Sequence, residues 1–355
     1  MSFGRLSALI ILITAIACGP APKMPRQQNA KVELLDNSDV ISFYLLPLKG
    51  EVNHAQKNWS GDIWALNKGL INKRWNAPFQ DGFDYQSPSR VQLFFMTTEE
   101  LAQLSPSEKF DLLLGRYDYP LKSEVGTMAN RFATNWEGIR NGWAPASMNH
   151  NEPTPKSLVN PDGIAIAFGS SDIKALLSYY YFFIHKMEGN YQLGRHCPEG
   201  YNWYDWNQNC RSYLNAGSFH IVLANKVGRR NKSFLVDIDP YKEVWNYPVH
   251  AYASRVESEM RPQSNSPTGT EKVLKVKSKV TYISESKQNT WEPIKGTPHE
   301  SFIVREYRYT LFLDISSNII GGEWISEERP DFLWVTQPVV EFKGLFTGLK
   351  ALLDE

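Results

Sequence analysis

Cysteine is scarce in this chain: Cys18, Cys197 and Cys210 are the only three among 355 residues. A metal centre built on the last two would want further Cys or His ligands at suitable spacing. Only His196 lies nearby, so no metal or other cofactor is expected. An excess of charge is also lacking, since 38 basic residues balance 38 acidic ones and the pI is near 7.1. That balance argues against a nucleic-acid partner held by a basic face. The tightest basic cluster, Arg229-Arg230 with Lys232, reads as a solvated hairpin tip. No internal repeat is visible. No apolar run is long enough to span a bilayer as a mature helix, because Leu6 to Ile16 falls well short of the length required.

That short run has another reading. Arg5 precedes it, small residues Ala15-Ile16-Ala17 follow, and Cys18 comes next, as in a bacterial lipoprotein signal covering residues 1–17. An ordinary secretory signal with a chance cysteine is the alternative, and Ala15 stands where leucine is usual. The lipid reading makes the expected partner a bacterial membrane, held through at least two acyl chains on Cys18. Gly19 after the cysteine suggests outer-membrane sorting, facing the periplasm or the exterior. Residues 18–37 are poorly patterned and read as a tether. With Cys18 lipidated in an oxidising compartment, Cys197 and Cys210 are expected to pair. Such a bridge closes a loop of about a dozen residues, worth roughly 2–3 kcal/mol. A free reactive thiol or a metal ligand would be the other uses of these cysteines.

From Thr97 to about Asn135 the signals are helical. Thr97-Thr98-Glu99-Glu100 and Ser105-Pro106-Ser107-Glu108 both have the form of a capping box. Ser171 or Asp172 can cap a further helix through Tyr179, Tyr180 and Phe183. Phe219 to Ala224 and Phe234 to Ile238 are apolar runs that read as a strand pair around Lys226–Lys232. Residues 261–270 are rich in Pro, Ser, Asn and Gly and mark a loop or boundary. Val273 to Ile283 and Arg305 to Ile315 alternate as strands, with a turn at Asn318 before Gly321-Gly322. The expected architecture is α+β, helices packed on an antiparallel sheet: a core over 38–262 and a β-rich part over 263–355. Aromatic residues make up 13% of the chain. Most belong in a core, although a peptide- or carbohydrate-lined groove would use the same side chains.

Several motifs occur together in one order. They are Trp59-Ser60-Gly61-Asp62-Ile63-Trp64, then Trp136-Glu137-Gly138-Ile139-Arg140-Asn141-Gly142-Trp143-Ala144, then Asn160-Pro161-Asp162-Gly163 leading into Phe168 to Ser178. Asn215 to His220, the Asp237/Asp239 segment, Glu243 to Val249, Ile320 to Ile325 and Arg329 to Trp334 follow. In this order they resemble the transglutaminase-elicitor family, named for oomycete wall transglutaminases. The resemblance implies a transglutaminase- or papain-like core and protein-glutamine acyl transfer. Such sites place a thiolate at a helix start, a histidine on a following strand and an Asp or Asn that orients it. His220 and Asp239, with Asp237 as second choice, are the residues in the last two places.

Arg140 stands where the family has its nucleophilic cysteine. A guanidinium stays protonated and cannot attack a carbonyl. It also sets a cation at a helix start suited to an anion, which calls for Asp239, Asp237 or a bound anion beside it. Ser147 lies about two helical turns further on and is a poor substitute. The expectation is a lipid-anchored, transglutaminase-like protein that binds a peptide or cell-wall ligand without acyl transfer. An active acyltransferase or amidase with another nucleophile is the alternative.

Overall fold

The computed structural model describes residues 31–53, 57–78, 81–185, 191–195, 214–239, 244–337, 339 and 341–353. Cys18, Cys197 and Cys210, with the expected lipidation and disulfide, lie outside the described residues, as does His196. Among the described residues no helix is long and apolar enough to cross a membrane.

The first half is helical. After a short strand, β1 (Lys49–Glu51), come α1 (Arg90–Leu93), α2 (Thr98–Ala102), α3 (Pro106–Leu113), α4 (Pro120–Met128) and α5 (Arg140–Asn149). Both capping boxes form: Thr97 and Ser105 each accept the N–H of the third residue of their helices, and Glu100 and Glu108 reach back. A small hairpin of β2 (Lys156–Val159) and β3 (Ala165–Phe168) leads into α6 (Ser170–Tyr179). Its N-cap is Gly169 rather than Ser171 or Asp172. Asp172 sits in the first turn and accepts the Gly169 N–H at 2.8 Å. The same carboxylate holds Lys109 Nζ at 2.7 Å and Trp75 Nε1 at 2.8 Å, so one buried acid ties α3, α6 and the preceding loop together.

The remaining strands are β4 (Tyr191–Gly194), β5 (Leu235–Asp237), β6 (Asn246–Met260), β7 (Lys272–Ile283), β8 (Phe302–Leu313), β9 (Ile319–Trp324) and β10 (Phe332–Val335), with α7 (Ala216–Leu223) before β5. They form one antiparallel sheet in the order β4-β10-β5-β6-β7-β8-β9, with β1 also paired to β6. The 262/263 division falls in the β6–β7 connection, so both sides of it contribute to the same sheet. On the β9 side, Lys31 bridges to Gly321 and Ser42 to Asn318.

The region expected as a strand at Phe219–Ala224 is helix α7, which continues into a π-helical turn over Ala224–Arg229. Asn215 starts it by accepting the N–H groups of Gly217 and Ser218 at 2.8 and 3.2 Å. The helix is buried on every side, so its apolar residues carry no amphipathic period and read equally well as a strand. Arg229, Arg230 and Lys232 therefore close a helix rather than a hairpin. Arg230 is ion-paired to Asp39 at 2.8 Å.

Candidate functional site

Position 140 opens α5, as the motif reading expects. The Ile139 N–H donates to the Ile63 carbonyl at 2.7 Å, and Gly138 bridges to Ala65, so the Trp59–Trp64 motif fixes where the helix begins. Trp143 Nε1 donates to the Trp59 carbonyl at 3.2 Å, and Trp59 Nε1 to that of His150 at 3.1 Å. Gly142 lets α5 approach α6 closely. A Cβ there would sit 2.0 Å from the Ser178 carbonyl oxygen and 2.8 Å from Phe182. No side chain fits without moving one helix off the other.

The Arg140 side chain is almost wholly buried and ion-paired through Nε to Glu285, just beyond the end of β7. Its guanidinium carbon lies 3.9 Å from the ring centre of Trp245 and 5.9 Å from that of Tyr247. The Trp245 contact alone is worth about 0.5–2 kcal/mol in a partly desolvated setting. Glu285 also accepts the Tyr247 hydroxyl at 3.1 Å and that of Ser284 at 3.0 Å. Asn246 donates to Asn141 Oδ1 at 3.0 Å and accepts Trp334 Nε1 at 2.8 Å, which locks the helix start to β6 and β10. A helix N-terminus disfavours a cation by about 0.3–1 kcal/mol. The Glu285 carboxylate reverses that sign locally, so the cation is tolerated.

The acid paired with Arg140 is Glu285. Asp237 ends β5 and is fully buried. Its Oδ1 accepts the N–H of Trp245 at 2.8 Å and of Asp239 at 3.2 Å, while its Oδ2 has no partner. Asp237 therefore acts on the site at one remove, by holding the backbone of the tryptophan that covers Arg140. Asp239 lies beyond the strand end rather than two positions along it.

His220 is placed elsewhere. It sits inside α7, stacked on Phe43 with ring centres 5.6 Å apart, and its Nδ1 shares a 2.7 Å hydrogen bond with the Tyr309 hydroxyl. Tyr309 bonds to Ser278, and Ser278 to Ser254, both at 2.6 Å. Tyr247, beside Arg140, and Ser254, at the far end of the His220 chain, stand roughly 20 Å apart along β6 at strand rise. His220 and Arg140 thus have different partners, Tyr309 for the imidazole and Glu285 for the guanidinium. Among the described residues no group of three or more His, Cys, Asp or Glu side chains could hold a metal ion.

Ser147 is closed as well. It is fully buried, and its Oγ donates to the Ala144 carbonyl within the helix at 2.8 Å.

Burial gives this region a pH signature. It pushes the Asp237 carboxyl up to about 8, with the carboxylates of Asp331 and Asp239 adding to the push against two backbone N–H groups. Burial also lowers His220 to about 4. Between about pH 4 and 8 the native chain keeps a proton on Asp237 that the unfolded chain has lost, so stability falls as pH rises. His220 acts oppositely between about 4 and 6.5, where the unfolded chain binds a proton that the native one refuses. The two slopes offset each other below about pH 6.5; above it Asp237 acts in the same direction as Asp111, which burial pushes up to about 7. Asp237→Asn is therefore expected to flatten the decline in melting temperature between pH 6.5 and 8. An unchanged slope in that window would show that Asp237 is ionised in the native state.

Sequence reasoning missed Glu285, Asn246 and Tyr247 as partners of position 140. The last two lie in the Glu243–Val249 motif, which carried a signal but no role. Glu285 follows a strand in the polar run Ser284-Glu285-Ser286, and nothing in the linear sequence links it to residue 140. Its position is set in space by the Ser286 N–H, which donates to the Gly61 carbonyl at 2.9 Å.

Among solved structures, the GP42 transglutaminase from Phytophthora sojae is similar in fold, with a TM-score of 0.66 at 21% identity. That alignment covers 88% of this chain and 92% of the other. No curated protein matches. The sequence model of the transglutaminase elicitor family matches residues 123–344, a span that includes α5, α7 and nearly the whole sheet. With the motifs in their order and the fold in common, this chain belongs to the transglutaminase elicitor family.

Proposed function

We propose that this protein is a lipid-anchored, non-catalytic transglutaminase-like protein of the bacterial envelope that binds a peptide or a wall component. One observation supports the reading: the start of α5, which the motif resemblance implies is the thiolate position, holds a buried arginine neutralised by Glu285 and covered by Trp245. A guanidinium fixed in that way can neither attack an acyl group nor accept a proton. Among the described residues the partners of Arg140 include no imidazole, and His220 bonds through Nδ1 to Tyr309 inside the core. Ligand binding remains open to this surface. Trp136, Phe182 and the nearly fully exposed Phe132 lie on the segments that flank the start of α5, and flat exposed rings suit sugars and peptides alike.

Incorporation of a labelled amine into a glutamine-bearing peptide tests the reading. The wild-type protein is expected to give no signal above a no-protein control. Arg140→Cys is expected to stay equally inactive, since the described partners of position 140 include no histidine. Clear amine incorporation by the wild type would sink the proposal. Activity gained by Arg140→Cys would instead show that an imidazole does reach the site.

A further inference from the structure

We infer that the surface formed by Tyr44, Leu45 and Ile315 rests on the lipid bilayer and fixes which side of the protein faces the membrane. The inference depends on the reading of Cys18 as a lipidated residue.

Leu45 and Ile315 are among the most exposed apolar side chains described, at 70% and 85%, and Tyr44 is 59% exposed. The three belong to one patch although far apart in sequence. The Phe43 N–H donates to the Ser317 carbonyl at 2.9 Å, with Tyr44 and Leu45 following the donor and Ile315 just before the acceptor. Ser42 bridges to Asn318 beside them. The turn carrying Ile315 is stiff, since Asp314 accepts the N–H groups of Ser316 and Asn318 at 2.9 and 2.8 Å. Isoleucine is thus presented to solvent by a well-bonded turn. Lys272 completes the patch, donating to the Tyr44 hydroxyl at 3.1 Å and pairing with Glu259 at 3.0 Å. A phenol and an ammonium in the same region as two exposed aliphatic side chains supply the apolar and polar groups that a lipid interface takes.

The occupant follows from where the anchor joins the fold. Lys31 bridges to Gly321 on β9, and Asn318 lies about 10 Å back along the same strand toward the Ile315 turn. Between Cys18 and Lys31 run about 13 residues, a reach of at most about 45 Å when fully extended. With Cys18 acylated, the bilayer lies within that reach of Lys31 and of the neighbouring end of the sheet that bears Tyr44, Leu45 and Ile315. A tethered protein samples its own bilayer at high effective concentration, so a small apolar patch suffices to orient it where it could not bind alone. The exposed Phe132 has no such connection to the anchor and serves as the control.

The test uses the full acylated protein in vesicles of phosphatidylethanolamine and phosphatidylglycerol. Leu45, Ile315 or Phe132 is replaced in turn by the photocrosslinker p-benzoylphenylalanine, and lipid adducts are counted after irradiation. Flotation with the vesicles is measured in parallel, with Cys18→Ser as the comparison. Adducts at positions 45 and 315 several-fold above those at 132, in protein that floats, are the expected result. Equal adducts at all three positions, or more at 132, in protein that still floats would overturn the orientation while leaving the anchor intact. Flotation of Cys18→Ser at the wild-type level would overturn the anchor reading itself, and the orientation with it.

Discussion

Glu285→Ala is expected to destabilise the fold by about 2–4 kcal/mol, whereas Arg140→Leu/Glu285→Leu should cost much less. The single change leaves a guanidinium buried at the positive end of α5 with only the Trp245 face against it. The cation would have to be rehydrated, which means opening the packing of Trp245 and Tyr247. The double change removes both charges from a site that is largely out of water. A buried ion pair is worth little against apolar side chains of similar size, because desolvation consumes most of its attraction. The residual exposure of Glu285, 18% of its side chain, places the estimate for the single variant below that for a wholly enclosed pair. Urea unfolding of the wild type, both single variants and the double variant gives the coupling directly. A Glu285→Ala variant within 0.5 kcal/mol of wild type would mean that solvent, not Glu285, neutralises Arg140.

Asp172→Ala should be costlier still, at about 3–5 kcal/mol. Its carboxylate and its partner Lys109 are both fully buried. Removing it strands an ammonium and also the N–H groups of Trp75 and Gly169, each a further unsatisfied donor. Asp172→Asn keeps an acceptor for part of that set and is expected to fall between wild type and alanine. Melting temperatures of the two variants would check this order. Equal loss for both would mean that the charge on Lys109 dominates, and negligible loss would mean that water enters when the acid is removed.

The parts of the fold that the sequence revealed are those where a local pattern had a single physical solution. Ser105-Pro106-Ser107-Glu108 could start a helix and little else. The alternation through Val276, Ser278, Val280 and Tyr282 could only be a strand with one covered face. Trp136 to Ala144 gave the position of Arg140 at a helix start because the flanking glycines and tryptophans come as one unit. Where burial is complete, the pattern vanishes. Phe219-His220-Ile221-Val222-Leu223 offers no polar face, so its helical state depends on Asn215 and on the sheet beneath it. The partner of Arg140 was illegible for a different reason. An acidic residue near that guanidinium follows from charge alone, but which one depends on where the end of β7 lands beside β6, and that is fixed by long-range pairing.

The two bridges at Gly321 and Asn318 bear on how copies of this protein coexist. Strand β9 ends the sheet, and an open strand edge is a template for pairing with another chain. Here Lys31 and Ser42 of the same chain bridge to Gly321 and Asn318 and occupy backbone groups that a neighbour would otherwise find free. A strand edge bridged in this way is a poor template for lateral self-assembly through β9.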